Sequence, residues 1–118
     1  MEFAFLASDK ALAKRYERDA AGELVKHSWP FAYEVTSYVE QLSSMKDLTP
    51  RLKEHAQQGH CLLKGKLNRP LEAESRAGST DSNDKTDWIL LDLDGITGYT
   101  TIDEFLNDIG CGDTDYIL

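Results

Sequence analysis

The chain has 118 residues, 41% of them apolar and 29% charged, with a formal net charge of −8. That length suits about one domain with a core of its own, and no stretch approaches the roughly 20 apolar residues of a membrane span. A strongly acidic chain is also a poor nonspecific binder of nucleic acid.

The charge is unevenly placed. Residues 1–80 hold 12 Lys/Arg against 11 Asp/Glu, whereas residues 81–118 hold one Lys against 10 acids. Any polynucleotide contact therefore belongs to local basic patches in the first two-thirds. The start, Met1-Glu2-Phe3-Ala4-Phe5-Leu6-Ala7, is too short and too acidic for a signal peptide, so a cytoplasmic setting is expected. Cys61 and Cys111 form no metal motif and are read as reduced core thiols.

In chain order, Phe3 to Leu6 reads as a first strand. Leu12–Glu17 and Glu23–Ser28 flank Asp19-Ala20-Ala21-Gly22, which reads as a hairpin turn. Trp29-Pro30-Phe31-Ala32-Tyr33 breaks regular structure, and its aromatics are core anchors or base-stacking groups. Val35–Tyr38 fits a strand or a helix start.

Thr49-Pro50 predicts a helix opening, with Thr49 as N-cap, Leu52 and Ala56 on the apolar face and Gly59 as the stop. His60–Leu67 reads as a strand, and residues 72–87, rich in Ser, Gly, Asp and Asn, as a loop. Thr101-Ile102-Asp103-Glu104 is a capping box for a short helix that buries Phe105, Leu106 and Ile109 and closes at Gly110. Tyr116-Ile117-Leu118 reads as the opening of another strand, so the sequence reads as part of a longer protein.

The main functional clue is Trp88-Ile89-Leu90-Leu91-Asp92-Leu93-Asp94-Gly95. The four apolar residues predict a strand buried on both faces, and the two-residue period of a strand places Asp92 and Asp94 on one side. Adjacent carboxylates repel unless a cation is shared, and hard oxygen donors suit Mg²⁺ or Mn²⁺ with phosphate oxygens completing the shell. The plainer reading is a solvated strand end leading into a turn at Gly95.

His55, His60 and Cys61 match no standard zinc spacing. No phosphate-binding Gly-x-x-x-x-Gly-Lys loop and no Gly-x-Ser-x-Gly elbow occurs, which removes the usual ATPase and esterase signatures.

Two families place Asp-x-Asp-Gly after an apolar strand. Haloacid-dehalogenase-like phosphatases follow it with a long α/β domain carrying a Lys; here the residues after Asp94 contain no Lys or Arg, and Ile96 stands where that family usually has Thr. The chain more closely resembles the archaeo-eukaryotic primase superfamily, in its phage-type primase-polymerase branch. The resemblance rests on His60-Cys61-Leu62-Leu63-Lys64-Gly65-Lys66-Leu67, Glu74-Ser75-Arg76-Ala77-Gly78-Ser79-Thr80-Asp81 and Trp88 to Gly95, and covers about residues 55–118.

It implies an α/β fold of α+β type: one domain over 1–118, made of the N-terminal module and the first strands of an RNA-recognition-like catalytic sheet. It also implies nucleotidyl transfer with two divalent ions, Mg²⁺ or Mn²⁺. Asp92 and Asp94 would be the catalytic metal ligands. Lys64, Lys66, Arg69 and Arg76 would be candidates for contact with nucleotide or template, since phosphate binding favours clustered cations. The implied partners are a single-stranded DNA template and nucleoside triphosphates, with a fused or associated helicase also in view, inside a phage-infected bacterium. The family's Ser-x-His strand and later Asp are not in this sequence, so the chain alone is not expected to polymerise. The reading from another class is a non-catalytic module whose acidic C-terminal third docks a basic partner.

Overall fold

The computed structural model describes residues 1–10, 16–26 and 34–117. It is of mixed α and β composition, with two small sheets and two α-helices among the described residues. β1 (Glu2–Ser8) lies between β4 (Val35–Gln41) and β5 (Cys61–Leu62), antiparallel to both. β2 (Tyr16–Arg18) and β3 (Leu24–Lys26) form a separate hairpin. The helices are α1 (Leu48–Gln57), entered through a 3-10 turn at Met45–Asp47, and α2 (Ile102–Asp108).

β1 is central because four consecutive apolar residues can be buried only when both faces of a strand are covered. Phe3 and Phe5 face one side, with Leu48 of α1 and Trp88, while Leu52 packs alongside. Ala4 and Leu6 face the other, with Val35, Leu63, Leu67 and Leu71. A helix thus covers one face and the irregular segment after β5 covers the other.

Local signals account for the turns. In the β2–β3 hairpin, Asp19 Oδ1 accepts from the N–H groups of Ala21 and Glu23, and Gly22 takes φ +81°, which suits a residue without Cβ. Both helices stop in the same way. Gly59 N–H bonds Ala56 O and His60 N–H bonds His55 O; Gly110 N–H bonds Asn107 O and Cys111 N–H bonds Leu106 O. These are Schellman closures on left-handed glycines. Thr101 caps α2 by accepting from Glu104 N–H at 3.2 Å, while the Glu104 carboxylate reaches Thr100 N–H at 2.8 Å rather than the cap residue itself.

Several expectations need correction. The N-cap of α1 is Asp47, without a side-chain cap bond, and Pro50 sits two residues inside the first turn, where an N–H has no helical partner to lose. The strand expected over His60–Leu67 is paired only at Cys61–Leu62; the chain then turns at Lys64-Gly65 and covers the sheet instead of extending it. In α2 only Leu106 is buried, Ile109 being exposed, and Cys111 is exposed rather than a core thiol. Tyr116 and Ile117 are not in a strand; Tyr116 Oη donates to Asp103 Oδ1 at 2.9 Å, which raises the phenol's pKa.

The largest departure is at residues 88–91, which form no strand. Trp88 is buried, but Ile89 is 73% exposed, and Leu90 and Leu91 are about half exposed. Both edges of β1 are already occupied. The outer edge of β4 is met by the 71–74 segment, through paired bonds between Val35 and Glu74 and a bond from Ser37 N–H to Leu71 O. A strand buried on both faces needs sheet neighbours and two covering layers. The rest of the described chain supplies neither to this run. The radius of gyration is 17.2 Å against roughly 13.5 Å for a compact chain of this length.

Trp29, Phe31 and Tyr33 lie outside the described residues, as do Leu12 to Arg15. No helix among the described residues is long and apolar enough to cross a membrane.

Candidate functional site

After β5 the chain makes a loop whose base is tied to β4. Leu71 N–H donates to Ser37 Oγ at 2.9 Å and Ala73 N–H to Thr36 Oγ1 at 3.1 Å. Asn68 closes the loop's other side, its backbone N–H on Ser79 O and its side-chain amide on Gly78 O. Ser37 and Thr36 do here what strand residues with short hydroxyls do well: they satisfy the backbone of a segment that cannot join the ladder.

This tethered loop positions an open cleft of about 600 Å³. Lys64, Lys66, Arg76 and Lys85 all line it, with Asp81 and Asp84 also on its wall. None of the four cations makes an ion pair or hydrogen bond with a described residue. Asp81 is engaged in its own turn, accepting from the backbone and side-chain N–H groups of Asn83 at 2.8 and 3.0 Å. Four like charges around one solvent-filled space repel one another, and an anion placed among them relieves the repulsion.

Three of these cations were named from the sequence. Arg69, the fourth named, is occupied elsewhere. Its guanidinium meets Glu74 at 2.6 Å and Ser75 O at 3.3 Å, so it braces the 69–77 loop rather than lining the cleft. Lys85 was missed. It is the only Lys or Arg after Arg76, and that isolation amid acids was the available signal.

Three residues past Lys85 the chain is anchored by Trp88. Its ring stacks on Phe3 with centroids 4.8 Å apart, and its indole N–H donates to Glu2 O at 2.8 Å. Thr86 Oγ1 donates to Trp88 O at 2.6 Å. Asp92 and Asp94 follow on the exposed segment that ends at Gly95, φ +67°. Because that segment is not a paired strand, the two-residue period no longer places them on one face. Both carboxylates are solvent-exposed and have no described partner.

Among the described residues no three His, Cys, Asp or Glu side chains converge as a metal-holding group. Asp92 and Asp94 are nonetheless an oxygen-only donor set, and Mg²⁺ is commonly held by one or two carboxylates with water and phosphate as its other ligands. Among the described residues no third carboxylate or imidazole joins them, so two carboxylates are the whole of this donor set. A zinc grouping of His55, His60 and Cys61 does not fit. Leu62 sits on the Phe5 face with the two histidines, and strand alternation turns Cys61 to the opposite face, beside Leu6.

No family model matches this chain, and no curated protein or solved structure does either.

Proposed function

We propose that this chain is the N-terminal part of a primase-polymerase-type nucleotidyltransferase that works on a single-stranded DNA template with nucleoside triphosphates. The observation that supports this reading is the cleft of Lys64, Lys66, Arg76 and Lys85, which leads within a few residues into the Asp92/Asp94 segment. In this reading the cleft cations bind phosphate oxygens and so fix the position and path of the nucleic acid. Asp92 and Asp94 would hold Mg²⁺ or Mn²⁺, which when bound activates the attacking hydroxyl and neutralises phosphate charge. Trp88 is a positioning residue, because it pins the acidic segment to the sheet. The sequence's lack of a Ser-x-His strand means that binding, not turnover, is the property to test on this chain.

Mn²⁺ titration followed by electron paramagnetic resonance should show weak binding that Asp92→Asn abolishes. A fluorescent single-stranded oligonucleotide should bind with a salt dependence that Lys64→Gln, Lys66→Gln and Arg76→Gln together reduce. With a slope of about 0.7 per contact on single strands, the loss of three contacts lowers it by about 2. Binding of Mn²⁺ that is indifferent to Asp92→Asn, or a salt slope unchanged in the triple variant, overturns the reading.

A second reading has one observation in its favour: Ile89, Leu90, Leu91 and Leu93 are exposed among acids, as on a docking face. A non-catalytic module that docks a basic partner through this face would bind without metal and tolerate Asp94→Asn. A phosphatase would turn over an aryl phosphate with Mg²⁺, and no turnover is expected.

A further inference from the structure

Away from the cleft, two histidines face one another across the end of α1. Their Nδ1 atoms are 2.8 Å apart. A contact of that length between two imidazole nitrogens holds one proton, donated by one ring and accepted by the other. The roles follow from the third partner. His55 Nε2 lies 3.3 Å from Glu40 Oε1, and a carboxylate only accepts, so neutral His55 carries its proton on Nε2 and presents a bare Nδ1. His60 then donates Nδ1–H.

The surroundings tie this pair to three elements. From β1, Phe5 lies flat on His55, centroids 3.8 Å apart and planes within 9°. From β4 come Glu40 and Tyr38, the latter stacked on His60 at 4.8 Å. From α1, Arg51 lies 3.8 Å from the other Glu40 oxygen and also pairs with Glu54 at 2.9 Å. The backbone repeats the link, since His60 N–H closes the helix on His55 O.

We propose that the His55–His60 pair is an acid-sensitive latch that holds the last turn of α1 against β1 and β4 and opens when both rings are protonated. One added proton leaves a donor facing an acceptor, so the contact survives. A second leaves two N–H groups opposed, and the contact is lost. Burial, and then the neighbouring His55, push the His60 imidazole below its ordinary value of 6.5. A histidine lowered in the folded state stabilises above its unfolded value, and that contribution is lost as pH falls through the lower folded value. The opening therefore belongs below about pH 6.5. Phe5 and Leu52 share their apolar cluster with Trp88, so an open latch also loosens the seat of the acidic segment.

Hydrogen exchange on the whole chain, at about pH 7.5 and about pH 5.5 and corrected for intrinsic rates, tests the proposal. Amides of Leu52–Gln57 should lose about tenfold in protection relative to β1 at the lower pH. His60→Asn, which offers an N–H near the Nδ1 position and does not titrate, should lose less than about twofold on the same scale. Equal loss in both proteins, or none in the wild type, overturns the latch. Should His60→Asn not fold, ¹⁵N imidazole spectra of the wild type decide: a scalar coupling across the two Nδ1 atoms, with His60 protonated at Nδ1 and His55 at Nε2, supports it. Both rings protonated only at Nε2 sinks it.

Discussion

Two apolar runs of four residues differ little in composition and greatly in fate. Phe3-Ala4-Phe5-Leu6 is almost wholly inaccessible, while in Trp88-Ile89-Leu90-Leu91 only the first residue is buried. Both runs read as strands, and it is the second that reads as buried on two sides. The first has β4 and β5 on its edges and a cluster over each face; the second finds a partner only for its tryptophan. Burial is thus not a property of a run. It is conferred by the segments that reach it, and a run lacking edge partners stays exposed however apolar it is.

The comparison can be broken most directly at its rigid end. Phe5→Ala removes a ring that stacks on His55 in the cluster shared with Leu48, and should cost about 3–5 kcal/mol in urea unfolding, a large share of a domain's stability. Trp88→Ala should cost less, about 2–3 kcal/mol, because one side chain and one indole hydrogen bond are all that its segment contributes to the core. Near-equal losses at the two positions would mean that the second run is as deeply integrated as the first. The smallest effect belongs to Ile89→Ser, expected within about 0.5 kcal/mol of wild type in the same assay. A loss of several kcal/mol there would show that the run is covered after all.

The site divides along similar lines. Lys64, Lys66 and Arg76 were visible as cations close together in the sequence, and they meet in one cleft. Arg69 looked equivalent, yet Glu74 lies five residues away and claims it. Lys85 joins the cleft because residues 80–86 fold back towards Lys64 and Lys66, a return that no local pattern announces. Likewise, His55 and His60 carry no motif. Glu40, which orients His55, is 15 residues earlier, and Phe5, which stacks on it, is 50 residues earlier.

The sequence by itself determined the features whose partners lie within a few residues. These are the Asp19–Gly22 turn, the glycine closures after α1 and α2, and the Thr101 cap. Each needs only hydrogen bonds of short span or the φ that glycine allows. Tertiary structure alone decided which apolar run obtained neighbours, how far the strand after α1 extended, which cations share a cleft and which two histidines share a proton. Those outcomes depend on groups distant in the chain competing for a few sheet edges and faces, and the occupancy of one edge excludes every other claimant.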